Sequence, residues 1–314
     1  MLMKRPLKVM LKLMLGLFIL FNIIVINHAY KFTHFYENGE VVSIPQNQKT
    51  KGQVFSEMFF GIKSQKRPNS EMDSVSSIIK TTTPDGIELE SVAIKANAAK
   101  GTVLMIHGHG SNKSALHPQA MAFVQMGYNV CLTDLRAHGS SGGNTSTIGF
   151  NEAIDVTTMY NLLRNEGEKN IILYGISLGA ATITRSIAID SLQPSKVILE
   201  MPFGSLTEAV EGRVGMMKLP KQPISSLLSF WGGTIHGFWA FGMEPKEYAK
   251  QIKCPVLLQW GAQDPRVTRK EIDDIFANIQ TEKQLVVYDN SGHQNLFLTE
   301  RDKWLSNVKA FLEQ

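Results

Sequence analysis

The chain has 314 residues, of which 43% are hydrophobic and 19% charged, with 32 basic against 28 acidic side chains and two cysteines. This composition excludes a disordered, collagenous or coiled-coil chain, and the length is ample for a large buried core. Two cysteines without a C-x-x-C pair exclude a disulfide scaffold and a zinc-knuckle, and the net charge of +4 needs to be located before it says anything about partners.

Residues 1–12 hold Lys4, Arg5, Lys8 and Lys12 and no acid, and residues 13–26 are apolar except at Gly16 and Asn22. A basic start before an apolar run is the pattern of an export signal. A span of about 20 residues is reached if the helix begins near Leu7 and Lys8 and Lys12 snorkel. The cleavage signature is poor, because Asn27 and Ala29 are followed by bulky Tyr30. An uncleaved signal-anchor over residues 1–30 is therefore expected, with a cleaved signal and a secreted protein as the alternative. The basic flank predicts a cytoplasmic N-terminus and an extracytoplasmic remainder. The first acid is Glu37, so setting aside those four cations leaves 28 bases against 28 acids beyond residue 12. The positive charge is a topology signal, and no nucleic-acid partner is expected.

Residues 31–74 show weak periodicity and read as a tether with an edge element. From 75 onward the pattern becomes strand, helix, strand. Residues 75–81 and 87–95 alternate around Pro84-Asp85-Gly86, a hairpin signal. Further strands are expected at 102–106, 128–133, 170–174, 197–199, 256–259 and 284–288. Helical segments fall between them at 118–126, 151–164 and from 178 through 189, and 303–312 closes the chain as a helix. Such alternation predicts an α/β fold with a mostly parallel central sheet flanked by helices, over 75–314, with a mixed edge from the hairpin. Residues 203–248 interrupt it with glycines, methionines and aromatic residues, including Trp231 and Trp239. That stretch reads as a small helical cap over a cleft, with plain core as the other reading.

The motif that carries chemistry is Gly175-Ile176-Ser177-Leu178-Gly179, between a buried strand and a helix. In that context G-x-S-x-G presents its serine on a sharp turn, because glycines remove the side chains that would collide there. The helix N-terminus under Ser177 favours developing negative charge. A serine hydroxyl needs a base. Of the eight histidines, His293 follows the last strand in Ser291-Gly292-His293, the position in chain order that suits the base. Asp264, just after the strand at 256–259, is the expected orienting carboxylate, and Asp289, four residues before His293, is its rival.

These residues resemble the α/β-hydrolase fold superfamily, in its serine-hydrolase branch of esterases, monoglyceride-lipase-like enzymes and S33-type peptidases. The resemblance covers residues 75–314 and implies Ser177, Asp264 and His293 as nucleophile, acid and base. It implies the backbone N–H groups of His109 and Leu178 as the oxyanion site, from the His107-Gly108 motif and the residue after the nucleophile. The family often has glycine or alanine where His109 stands, so access there is expected to differ. The run Asp134-x-Arg136-x-His138-Gly139 looks like the loop found beside that site.

The remaining residues read as structural. His107 and His109 lack the carboxylate cluster that a metal would need, so no metal is expected. No phosphate-cradling or dinucleotide loop is evident, so no organic cofactor is expected. Cys131 and Cys254 read as buried thiols. Glu200, at a strand end, is a site-wall or structural residue. The function that follows is cleavage of a carboxylic ester through an acyl-enzyme, on a small-molecule or lipid-like acyl substrate, at a membrane reached through the N-terminal helix. An S33-type peptidase, an amidase or an acyltransferase would share every one of these residues. A non-catalytic membrane-anchored binding protein of this fold is the alternative outside the enzymes.

Overall fold

The computed structural model describes residues 4–37 and 48–314; residues 38–47 of the expected tether and the side chains of Lys4 and Arg5 lie outside them. A helix, α1 (Lys4–Thr33), carries the apolar N-terminal run, and its part from Pro6 to Thr33 is long and apolar enough to cross a membrane. Leu7 through Leu20 present exposed apolar side chains, whereas Val25 and Ala29, one turn apart, are buried. The helix thus has a free apolar stretch and a docked end, and it continues past residue 30 into the part read as tether.

The rest of that segment is more ordered than its weak periodicity suggests. A two-residue strand β1 (Phe35–Tyr36) pairs in parallel with β2 (Ser64–Gln65), and α2 (Lys51–Phe60) lies between them. A reciprocal capping box starts α2, with Thr50 and Gln53 each satisfying the other's backbone N–H. Lys66 is buried, and its Nζ donates to the carbonyl of Ser141 at 2.6 Å.

The central sheet has eight strands: β3 (Ser77–Thr82), β4 (Glu88–Ile94), β5 (Thr102–Ile106), β6 (Asn129–Thr133), β7 (Ile171–Ile176), β8 (Lys196–Glu200), β9 (Val256–Gly261) and β10 (Lys283–Tyr288). Their spatial order is β10-β9-β8-β7-β5-β6-β4-β3. Pairings from β10 through β6 are parallel, while β3–β4 and β4–β6 are antiparallel, the mixed edge that the Pro84-Asp85-Gly86 turn implies. All five residues of β5 are buried, which requires cover on both faces. That cover includes α3 (His117–Gln125), α4 (Glu152–Asn165), α5 (Leu178–Asp190) and the helices Arg269–Asn278 and Arg301–Glu313. Phe123 of α3, Tyr174 of β7 and Trp304 of the last helix meet edge to face at 5.5–6.3 Å.

Between β8 and β9 the chain leaves the sheet and forms α6 (Leu206–Met216) and α7 (Ile224–His236), the helical insertion expected within 203–248. It is not free-standing. Helix α7 packs along the docked end of α1, where the Trp231 indole donates to Asn22 Oδ1 at 2.9 Å and His236 Nε2 lies 2.8 Å from Thr33 Oγ1.

Strand order reverses around β5, since the chain passes to β6 on one side and to β7 on the other. In open parallel sheets the crevice at the C-terminal ends of such strands is where ligands bind. The turns after β5, β7, β9 and β10 carry the chemistry-bearing residues.

Candidate active site

Ser177 joins β7 to α5 with φ 51° and ψ −109°, a backbone that non-glycine residues rarely adopt. The flanking glycines show why the turn can be so tight. A Cβ on Gly179 would stand 2.3 Å from the Ile106 carbonyl oxygen, and one on Gly175 would stand 2.6 Å from the Gly179 carbonyl carbon. With both absent, the helix start presses against the end of β5, and the Ser177 N–H donates to the Glu200 carbonyl at 2.7 Å.

The Ser177 hydroxyl oxygen lies 2.9 Å from His293 Nε2, and His293 Nδ1 lies 2.7 Å from Asp264 Oδ2. The other Asp264 oxygen accepts the N–H groups of Arg266 and Val267 at 2.8 and 2.9 Å, so the carboxylate is held by three partners and is fully buried. Asp289 is elsewhere: its carboxylate is exposed and meets Lys303 at 3.1 Å. The structure therefore brings Ser177, His293 and Asp264 into one hydrogen-bonded row and leaves Asp289 out of it.

The turn after β5 lies against the serine, since a Cβ on Gly108 would be 3.7 Å from Ser177 Cβ. Among the described residues, neither the His109 N–H nor the Leu178 N–H has a hydrogen-bond acceptor. Two histidines brace this turn. His107 Nε2 accepts the Leu135 N–H at 3.1 Å, and its Nδ1 donates to the Gly108 carbonyl at 2.8 Å. His138 Nε2 accepts the Gly110 N–H at 3.0 Å and its Nδ1 donates to the Arg136 carbonyl. Burial pushes His138 down to about 3, so its ring stays neutral and keeps the acceptor nitrogen that Gly110 needs. Asp134 receives Lys113, Asn69 and the Ser140 N–H, and Arg136 forks onto Asp155 and Asp85, so this loop is locked from several sides.

Glu200 is fully buried and turns away from the cleft. Its Oε1 accepts the Trp304 indole N–H at 2.6 Å, the Tyr174 hydroxyl at 2.8 Å and the Gln259 amide at 3.3 Å, while Oε2 has no partner. Burial pushes its carboxyl up to about 7 against the pull of the Trp304 and Tyr174 hydrogen bonds. Cys131 and Cys254 are buried free thiols, and burial pushes both up to about 12.

The cleft's cover holds α6 and α7, within the stretch expected as a cap, but the share that α1 takes in it is the part that sequence reasoning missed. The His109 ring stacks on Phe32 of α1 at 4.8 Å and 15°, and Phe35 lies 5.2 Å away. Its Nε2 is buried without a hydrogen-bond partner, and burial together with Arg213 holds the ring well below the ordinary imidazole range. Two cavities adjoin this roof. One, of about 270 Å³, lies among the end of α1, α6 and α7 and is walled by side chains such as Ile148, Leu206, Val214, Leu228 and Phe238. The other, of about 830 Å³, reaches His109, Gly110 and Ser111 and carries Lys31, Lys49, Lys63, Arg67, Arg213 and Arg266 against Glu57. Phe32, Ile62 and Arg213 line both. Ser177, Asp264 and His293 line neither; the larger cavity reaches the turn that lies against the serine, at His109, Gly110 and Ser111.

A family model described as Serine aminopeptidase, S33 matches residues 97–232. Among curated relatives, the protein YqkD of Bacillus subtilis is 25% identical over 232 residues, covering 73% of this chain and 76% of its own length. A thermostable monoacylglycerol lipase of a Bacillus species is 26% identical over 214 residues, covering 61% of this chain and 82% of the lipase. Among solved structures, the Pyrococcus furiosus esterase Pf2001 superposes with a TM-score of 0.66 at 25% identity, covering 80% of this chain and 98% of the esterase.

Proposed function

From the premise that this chain is a hydrolase of the α/β-hydrolase fold superfamily, we propose that it cleaves carboxylic esters through an acyl-enzyme on Ser177. His293 takes the hydroxyl proton as Ser177 attacks the ester carbonyl, and Asp264 stabilises the imidazolium that forms. The N–H groups of His109 and Leu178 receive the developing oxyanion. His293 then returns the proton to the departing alcohol. Water attacks the acyl-serine with His293 again as base, which releases the carboxylic acid and restores the serine. The observation that carries this reading is the unbroken row from Ser177 Oγ to His293 to Asp264, at 2.9 and 2.7 Å, beneath two unengaged N–H groups.

The similarity to a monoacylglycerol lipase and an esterase favours an ester over an amide bond. The S33 family description favours a peptidase as second reading. An aminopeptidase must hold an α-ammonium, however, and the described residues lining the large cavity beside His109 include six cations and one acid, which repel that group. Helix α1 serves in this proposal as a membrane anchor, with the cytoplasm on the side of its basic start and the unit 75–314 on the other. The test is fluorophosphonate labelling of the full chain with p-nitrophenyl ester turnover. Labelling confined to Ser177, and abolished with turnover in a folded Ser177→Ala protein, is expected. Turnover undiminished in Ser177→Ala would refute the nucleophile.

A further inference from the structure

The basic cavity is a built feature. Arg213, on α6, and Arg266, two residues after Asp264, are brought together by Gly212, at which any Cβ would stand 2.3 Å from the Arg266 carbonyl oxygen. Neither guanidinium meets a carboxylate among the described residues, although Glu57 on the cavity's far wall is already taken by Lys49 at 2.8 Å. Arg213 instead lies over the Phe32 ring at 4.5 Å. Burial foremost, and the nearby Arg266 charge second, push the Arg213 guanidinium down to about 10. Lys31, Lys63 and Arg67 add to the same field. Such an arrangement is unfavourable empty and favourable around a multiply charged anion, which guanidinium forks bind with two parallel hydrogen bonds.

The apolar cavity stands on the other side of the shared wall, against His28, Ala29, Phe32 and Thr33 at the docked end of α1, the helix long and apolar enough to cross a membrane. Its lining of aliphatic and aromatic side chains fits a hydrocarbon chain. Phe32 and Arg213, which line both cavities, meet the turn after β5 through the Phe32 ring stacked on His109 at 4.8 Å.

We propose that the substrate is an amphiphile with a phosphate-type anionic headgroup, held by Arg213 and Arg266 in the basic cavity, and an acyl chain held in the apolar cavity between α1, α6 and α7. This rests on the Ser177 hydrolase reading and adds the class of substrate to it. The same cations would also hold free phosphate, so the experiment separates the two sources.

The full chain in neutral detergent micelles is given a 1-acylglycerol and the 1-acylglycerol 3-phosphate with the same chain, and fatty-acid release is measured. The phosphate lipid is expected to have a kcat/KM about tenfold higher or more, through KM, at low salt. The gap is expected to shrink as salt screens the cations. Arg266→Gln should reduce the preference by about tenfold, and Arg266→Lys should restore part of it. Arg266 is the primary position because Arg213 is more enclosed and its variant is more exposed to folding failure. Equal hydrolysis of the two lipids by the unaltered protein, or a preference untouched by Arg266→Gln, overturns the headgroup and leaves the hydrolase reading standing. Acceleration of 1-acylglycerol turnover by inorganic phosphate, without a lipid preference, assigns the cavity to a free anion and overturns it too. Hydrolysis of neither lipid together with no fluorophosphonate labelling overturns both readings.

Discussion

The floor of the cleft rests on the ends of β5, β7 and β9, strands whose residues are buried almost throughout, and its polar groups are tied at several points each. The roof comes from α1, α6 and α7, helices with many exposed apolar side chains, among them Met216, Phe230 and most of the first turns of α1. Floor residues are placed by backbone collisions and paired hydrogen bonds that tolerate almost no displacement. Roof residues are placed by side-chain contacts such as Phe32 on His109 and Trp231 on Asn22, which can shift without opening the sheet. Rigid elements hold reacting groups to the fraction of an ångström that acid–base and nucleophilic chemistry needs, while softer cover adjusts what enters.

The sharpest way to break that division is to alter the floor without changing its shape. Asp264→Asn keeps the two backbone N–H partners but removes the charge facing His293 Nδ1. It is expected to lower kcat by about 10⁴ with little change in thermal midpoint. Asp289→Asn, at an exposed carboxylate, is expected to stay within about twofold. Ester kinetics and melting curves on both variants check the pair, and comparable losses would return Asp289 to the site.

Gly179→Ala tests the steric account of the floor. Its Cβ would be driven to 2.3 Å from the Ile106 oxygen, a collision with backbone that no rotamer change relieves. Loss of activity together with destabilisation of about 3 kcal/mol or more is expected in denaturant titration. A neutral substitution there would mean that the turn after β7 is softer than its contacts imply.

The titration of Glu200 probes the floor from beneath. Its carboxyl is pushed up to about 7 from an ordinary value near 4.5, so the folded protein keeps the proton that the unfolded chain has lost. The sign follows directly: this group's contribution is fully present below about pH 4.5 and is lost as pH rises through about 7. Glu200→Gln keeps an acceptor for Trp304 and Tyr174 and cannot ionise. The stability of the unaltered protein relative to this variant should therefore fall by about 3 kcal/mol between pH 4.5 and 8. A pH-independent difference between the two would show that Glu200 does not titrate in that window.

The same division decides what could be read from the residues alone. Strands β5, β7 and β9, the tight turn at Ser177 and the order Ser177, Asp264, His293 are local signals, carried within a few residues of where they act. In the roof, the run at 203–248 announces α6 and α7 locally, whereas the part taken by α1 is non-local. Nothing near Phe32 announces that it meets His109, 77 positions away in the chain, or that Arg213 belongs to the same wall. Helix α2 is a different case, because Thr50 and Gln53 form a capping box that a search for hydrophobic period passes over in a polar segment. The helix Arg269–Asn278 begins with the same device at Thr268 and Glu271.

That distribution changes how the N-terminal segment should be treated. Read as a tether, residues 31–74 could be cut away and a chain starting at Val75 would still hold the whole catalytic unit. In the structure such a cut removes Phe32 and Phe35 from the His109 ring and Lys66 from the Ser141 carbonyl. The smallest test keeps the chain whole and trims one roof contact. Phe32→Ala deletes a half-buried ring on the wall shared by the two cavities, while every hydrogen bond from Ser177 to Asp264 stays in place. If the roof governs access and the floor governs chemistry, KM for long-chain esters should rise about three- to tenfold, the range expected for losing about 1 kcal/mol of apolar contact. For short esters that do not reach the apolar cavity, kcat should stay within about twofold. A matching fall in kcat for both chain lengths would instead make α1 part of the machinery that positions His109, and the separation between floor and roof would have to be drawn through Phe32 rather than below it.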